Sequence, residues 1–154
     1  MIITTYTALA DLFHDAVHAI DKSVYTAGQK EAWAPTPPDY RQWADRLTRT
    51  QPYVALIHSR VAGFCELDAD GHIGCLYTHP DFQRQGVATA LCAHLRKDAA
   101  RRELARLTVE ASLIARPFFE HRGFVLVRTN QVERMGQTLI NFSMEKRLNS
   151  PVAS

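Results

Sequence analysis

The chain has 154 residues, 46% of them apolar and 22% charged, a composition that suits one folded domain and excludes a disordered tail. No run approaches the roughly 20 uninterrupted apolar residues of a bilayer span, and residues 1–6 lack the charged start and long apolar stretch of a secretory leader, so a soluble, cytoplasmic protein with no membrane contact is expected. Eighteen lysines and arginines against sixteen aspartates and glutamates leave a net charge of +2, too near neutrality to capture a polyanion, so no nucleic-acid partner is expected.

Leu9, Leu12, Phe13, Ala16, Val17 and Ile20 recur at helical spacing, with Asp11 and Asp15 on the other side, and predict a first helix over residues 9–20. A polar, turn-rich passage with Pro35, Pro37 and Pro38 follows; Asp39, Tyr40, Trp43 and Leu47 then predict a second helix ending before Pro52. Residues 53–58 and 61–67 are short β-branched, aromatic and aliphatic runs about Ser59 and Arg60, the pattern of a hairpin. A second hairpin turns at Asp68-Ala69-Asp70-Gly71, where Asp-Gly favours a primed turn, and leaves as a strand over residues 72–78 that Pro80 ends.

Residues 86–102 predict a helix through Val87, Leu91 and Leu95, and residues 104–111 contain a strand with Leu107, Thr108 and Val109 at its core. A short helix through Phe118 and Phe119 stops at Gly123, and residues 124–132 and 138–144 form a last hairpin about Met135 and Gly136. The order predicts an α/β (α+β) fold with a single mixed, mostly antiparallel sheet and helices on both faces. It forms one domain over residues 1–148, with a frayed tail over 149–154. The three cysteines, Cys65, Cys75 and Cys92, form no C-x-x-C pair and read as reduced thiols, with Cys65 and Cys75 placed to face each other across a hairpin.

Chemistry concentrates in Leu76-Tyr77-Thr78-His79-Pro80-Asp81-Phe82-Gln83-Arg84-Gln85-Gly86-Val87-Ala88-Thr89. A strand breaks at Pro80 and a helix opens at a glycine among small residues, so unpaired backbone N–H groups and the positive end of the helix dipole form an anion site. The segment has neither the G-x-x-x-x-G-K-[ST] of a nucleotide hydrolase nor the G-x-G-x-x-G of a dinucleotide fold.

Gln83-Arg84-Gln85-Gly86-Val87-Ala88 resembles the Q/R-x-x-G-x-G/A signature of the GCN5-related N-acetyltransferases. Ala115-Arg116-Pro117-Phe118-Phe119-Glu120-His121-Arg122-Gly123-Phe124 is similar to that family's A-x-x-F-Y-x-x-x-G-F segment. The resemblance extends over nearly the whole chain and implies an acyl-CoA N-acyltransferase fold that uses acetyl-CoA as co-substrate and no metal. It places the pyrophosphate on the amides of residues 84–89, with Gln83, Arg84, Gln85, Gly86, Val87, Ala88 and Thr89 around it, and runs the pantetheine arm along Leu76, Tyr77 and Thr78. Ser112 stands where the family often has an asparagine on that arm, and Arg96, Lys97, Arg101 and Arg102 are candidates for the 3′-phosphate or a solvated helix face. A homodimer through the last strands is a family habit.

Acetyl transfer to an amine needs the nitrogen neutral, so a base or water chain must take its proton. The resemblance makes His72 a candidate general base, and Glu66, a carboxylate within an apolar strand, is the alternative. A two- or four-residue turn puts the two on opposite faces and a three-residue turn on the same face; Asp-Gly chemistry favours opposite faces. The family's acid is the tyrosine of F-Y, here Phe119, which cannot donate a proton and is expected to pack against the cofactor arm. Tyr77 is then the nearest donor in the sequence, or solvent protonates the thiolate.

His14 and His18 stand at i and i+4 without an evident third metal ligand and are expected to flank the buried stripe or face solvent. Tyr25, Trp33, Tyr40 and Trp43 surround the expected acceptor region. The chain is thus expected to acetylate a primary amine of a small molecule or peptide by direct attack in a ternary complex, with a catalytically weak acyl-CoA-binding sensor as the alternative. Acetylation of charged tRNA would need a basic surface that the composition lacks.

Overall fold

The computed structural model of the chain describes residues 2–148 and opens with three helices before any strand: α1 (Ile2–His18), α2 (Ala27–Trp33) and α3 (Tyr40–Thr50). The tail expected over residues 149–154 lies outside the described residues. Helix α1 begins and ends earlier than its apolar stripe suggests, yet that stripe does what it predicts: Leu9, Leu12 and Val17 are buried.

Helix α2 corrects the expected loop between the first helices. Thr26 is its N-cap and accepts from the Gln29 amide at 3.1 Å, while the Gln29 side chain accepts from the Thr26 amide at 2.8 Å. Such a reciprocal box satisfies two orphan N–H groups at once, and T-x-x-Q is its sequence signature. Asp39 caps α3 by accepting from the Gln42 amide, which is worth about 1 kcal/mol.

The remaining elements are β1 (Tyr53–Ile57), β2 (Arg60–Leu67), β3 (His72–Thr78), a 3-10 turn at Pro80–Phe82, α4 (Val87–Arg101), β4 (Arg106–Ala111), α5 (Arg116–His121), β5 (Val125–Arg134) and β6 (Gln137–Arg147). They form one six-stranded sheet of order β1-β2-β3-β4-β6-β5, antiparallel except between β3 and β4. The last two hairpin strands run longer than the sequence pattern indicates, because their outer residues are exposed and carry no alternation.

Each face has its own core. One joins α4 to the sheet through Leu91, Leu95, Leu107, Val109, Phe142 and Met144; the other joins α1 and α3 to it through Leu9, Leu12, Leu47, Phe64 and Cys75. Burying such a leucine or phenylalanine stabilises by about 2 kcal/mol before entropy is charged.

Two features of β3 set up the functional region. The β2–β3 turn is a three-residue loop, 69–71, closed by Asp68 and His72 (Asp68 N to His72 O, 2.9 Å), with Gly71 at φ +93° and no room for a Cβ, which would sit 2.2 Å from the Arg106 carbonyl. Leu67 therefore pairs with Ile73, and the register slips by one before Cys65 meets Leu76. Glu66 thus opposes both Gly74 and Cys75 in a β-bulge. This corrects the expected separation: Glu66 and His72 share a face. It also puts Cys65 and Cys75 in opposite cores; all three cysteines are free and buried. Second, β3 and β4 pair only at His72–Thr108 and Ile73–Val109. Beyond those two rows the strands part.

Candidate active site

The gap between β3 and β4 leaves one edge of Gly74 to Thr78 without a strand partner, since β2 occupies only the other edge. An extended ligand can complete that edge with main-chain hydrogen bonds. At one end of the gap α4 begins. Gly86 at φ +78° is its N-cap and offers no side-chain cap; the first intrahelical bond is Ala90 N to Gly86 O at 2.9 Å, so the amides of Val87, Ala88 and Thr89 have no intrahelical acceptor. Nothing lies within 4 Å of where a Gly86 Cβ would project, so the space beside Gly86, at the head of the helix, is open.

The approach to α4 is held by Gln83, whose side-chain amide donates to the Thr78 carbonyl at 3.3 Å, and by Arg84, which turns the chain at φ +62°. Helix α4 sits close on β2 because Gly63 lacks a side chain: a Cβ there would lie 2.7 Å from Val87 and 2.8 Å from the Tyr77 carbonyl. Sequence reasoning passed over Gly63, an isolated glycine inside an apolar strand that signals close approach.

It also passed over Arg122. The guanidinium stacks 3.6 Å above the Phe118 ring, donates to the Phe118 carbonyl at 3.0 Å, and donates to Thr89 Oγ1 in the first turn of α4 at 2.7 Å. Arg122 thus adds a fixed cation beside the free amides. By contrast Arg101 and Arg102, candidates for a phosphate, are bound to the buried Asp98 at the far end of α4, about 20 Å from its N-terminus by helical rise.

At the other end of the gap, under α1 to α3, lies a cleft of about 920 Å³. Its walls include Phe13, Tyr25, Trp33, Trp43 and Tyr77, and Glu110 and Ser112 from the end of β4 line it as well. Tyr25 anchors this wall: its hydroxyl donates to the Ile140 carbonyl at 3.2 Å and accepts from the Leu113 amide at 2.9 Å. Tyr40 is not among the lining residues; it is exposed and donates to Asp11 at 2.6 Å. Ser112 Oγ accepts from the Ala115 amide at 3.1 Å and so starts the turn into α5.

Glu66 is 1% exposed, and its carboxylate accepts from Arg46 at 2.6 and 3.2 Å and from Thr50 at 2.7 Å. Burial alone would raise its pKa, but the hydrogen bonds from Arg46 and Thr50 outweigh it and hold the carboxyl below its ordinary 4.5. A carboxylate so satisfied is a weak base, and Glu66 reads as the partner that fixes Arg46 over the Trp43 ring, 5.2 Å away. His72 does not line the cleft. Its Nε2 lies 2.6 Å from Glu110 Oε1 and its Nδ1 3.5 Å from Asp68, so the imidazole sits behind Glu110, the carboxylate that does face the cleft. Glu110 was missed because an acid in a strand pattern reads as an outward-facing charge; only the parting of β3 and β4 opens it to the cleft.

Tyr77 lines the cleft with its ring edge-on to Phe13 at 4.9 Å, and burial pushes its phenol well above 10, so it stays protonated. Phe119 is 2% exposed and packed edge-on against Phe118 at 5.3 Å and Phe124 at 5.1 Å, within the α4-side core. Burial raises all three thiols, Cys65 to about 12.

His14 and His18 do find a third neighbour, contrary to expectation. Glu31 of α2 brings a donor atom within 4.8 Å of theirs. All three groups are engaged in holding the α2–α3 connection: His14 bonds Thr36 Oγ1 at 2.7 Å, His18 bonds the Ala34 carbonyl at 2.8 Å, and Glu31 accepts from the Thr36 amide and hydroxyl.

This combination of a parted β3–β4 pair, an uncapped helix N-terminus and a cleft on the opposite side defines an acyl-CoA-dependent transferase fold. Residues 21–147 match the family described as Acetyltransferase (GNAT) domain. The chain is 34% identical over 139 residues to YafP, an uncharacterized N-acetyltransferase of Escherichia coli (strain K12), covering 90% of this chain and 87% of that one. Among solved structures it is similar to a GCN5-related N-acetyltransferase from Rhodopseudomonas palustris, with a TM-score of 0.88, 34% identity, and coverage of 94% of this chain and 91% of that one. It shares its fold with PaiA N-acetyltransferase from Thermoplasma acidophilum in complex with coenzyme A, at a TM-score of 0.77 and 16% identity, covering 95% and 94% of the two chains. The chain belongs to the GCN5-related N-acetyltransferase family, a family of acetyl-CoA-dependent acyltransferases. Among the described residues no helix is long and apolar enough to cross a membrane.

Proposed function

We propose that the protein moves the acetyl group of acetyl-CoA to the primary amine of a small-molecule acceptor by direct attack in a ternary complex. The observation that supports this best is the parting of β3 and β4 after Ile73 and Val109, which leaves the Gly74 to Thr78 edge unpaired, with Gly74, Cys75 and Tyr77 lining the aromatic-walled cleft and the free amides of α4 following in the chain. When bound, acetyl-CoA supplies an activated acyl carbon at its thioester.

The residues of the chain divide the remaining work. The amides of Val87, Ala88 and Thr89, with Arg122, hold the phosphates. The free edge of Leu76 to Thr78 holds the arm in register. Glu110 takes the proton that the attacking nitrogen must lose, and His72, hydrogen-bonded behind it, orients the carboxylate and shares the proton. Tyr77, kept protonated by burial, donates a hydrogen bond to the departing sulfur, and solvent supplies the proton that the thiolate takes up. Cys75 is raised well above 9 by burial and stays a thiol, which disfavours an acetyl-cysteine intermediate.

Incubation with acetyl-CoA and a panel of amines, followed by free-thiol release, tests the reading. Acceptor-dependent release with formation of the N-acetyl product is expected. Tight coenzyme A binding with no release for any amine would replace the transferase with an acyl-CoA sensor.

A further inference from the structure

Given the transferase reading above, on which this inference rests, the charges around the cleft identify the kind of acceptor. Arg46 is neutralised by Glu66 at 2.6 Å. Two other arginines line the cleft, Arg49 on α3 and Arg134 at the end of β5, and among the described residues neither has an acidic partner within 4.0 Å. Asp45, one helical turn before Arg49, also lines the cleft and stays beyond ion-pair distance. Glu110 provides the negative charge where β4 leaves β3, and Trp33 and Trp43 provide apolar walls.

We infer that the acceptor is a small zwitterionic amine: an amino group, an apolar body and a carboxylate or similar anion. The amino group goes to Glu110, where its proton must be taken. The body lies between the tryptophans, whose faces suit a flat or branched apolar group. The anion goes to Arg49 and Arg134, whose planar guanidinium groups match a carboxylate in two-point fashion. A polyamine fits less well: Asp45, the other carboxylate of the lining, stands one helical turn from Arg49, so a second cationic centre held there would meet that arginine. A cleft of about 920 Å³ is also of small-molecule size.

Only two tryptophans occur in the chain, Trp33 and Trp43, and both line the cleft, so intrinsic tryptophan fluorescence reports acceptor binding directly. L-Phenylalanine serves as the zwitterionic probe, L-phenylalaninamide as its counterpart without the anion, and spermidine as the polyamine. Each is titrated by fluorescence with coenzyme A bound and assayed for thiol release with acetyl-CoA. The expected result is at least about a tenfold tighter binding and higher kcat/KM for phenylalanine than for its amide, one charge-assisted contact being worth about that factor. This preference must oppose intrinsic reactivity, because the amide has the less basic amine.

In the Arg49→Gln/Arg134→Gln double variant, at two exposed positions, the preference between acid and amide is expected to collapse. Equal or better use of the amide or spermidine, or a preference that survives in the double variant, overturns the inference while leaving the transferase standing. Preferential binding of phenylalanine with no thiol release for any amine overturns the transferase reading and leaves the zwitterion site standing.

Discussion

His72 Nε2 lies 2.6 Å from Glu110 Oε1: on the neighbouring parallel strands His72 pairs with Thr108, and Glu110 stands two residues further along β4, one past the last paired row. The carboxylate faces the cleft and the imidazole does not, so the two have different expected phenotypes. Glu110→Gln removes the proton acceptor and is expected to lower kcat by about 100-fold or more with little change in KM for acetyl-CoA. His72→Gln keeps a hydrogen-bond donor and is expected to lower kcat by about tenfold and alter the acid limb of the pH profile. Steady-state kinetics from pH 5.5 to 9 separate the two; a Glu110→Gln enzyme with full kcat removes Glu110 from the mechanism.

Glu66→Gln is expected to act on stability. Removing one member of a buried ion pair costs about 3–5 kcal/mol, and the 38% exposure of Arg46 brings the expected loss to about 2 kcal/mol, read by urea unfolding at pH 7. The folded pKa of Glu66 lies below its unfolded value of 4.5, so the unfolded chain binds more protons between the two. Stability from this group is therefore full above pH 4.5 and lost as pH falls through the folded value. The glutamine variant is expected to show a shallower acid decline than the wild type.

Phe119→Tyr restores the tyrosine typical of the family but puts its hydroxyl into a core of phenylalanines. An unpaired buried hydroxyl costs about 1–3 kcal/mol. The expected outcome is a lower melting temperature with the pH dependence of kcat unchanged. Tyr77→Phe, on the cleft wall, is expected to lower kcat instead.

Gly63→Ala forces a Cβ against Val87 and the Tyr77 carbonyl, and is expected to raise KM for acetyl-CoA by displacing the start of α4. Arg122→Gln leaves the helix in place but removes the cation beside Thr89, and is expected to raise the same KM by about tenfold, with a weaker dependence on salt than the wild type. Equal salt dependence of the two enzymes would show that Arg122 stays clear of the phosphates.

The mixed sheet with its hairpins and the α4 N-terminus were legible because they rest on local signals: apolar and β-branched runs in β1 to β3, Asp-Gly and Met-Gly turns, and a glycine before an alanine-rich helix. Less legible was anything decided by a single residue of register. The three-residue loop at 69–71 reversed the expected facing of Glu66, and the bulge at Gly74 and Cys75 separated two cysteines that simple alternation had put together. Glu110 meets His72 and Arg122 meets Thr89 far away in the chain, so no spacing within the sequence marks those contacts, whereas Gly63 carried a local signal that was passed over. Helix α2 was different: Thr26 and Gln29 carried a capping signature, and the prolines that follow obscured it.

With only two rows of pairing between β3 and β4, the six strands amount to two three-stranded ribbons joined at a narrow isthmus. On the proposed placement of the cofactor, a bound pantetheine arm would act as a seventh strand, supplying rungs that the polypeptide omits. Coenzyme A should therefore slow amide exchange at Leu76 and Thr78 and raise the melting temperature beyond what its phosphate contacts alone would give, making the co-substrate an architectural element of the enzyme between turnovers.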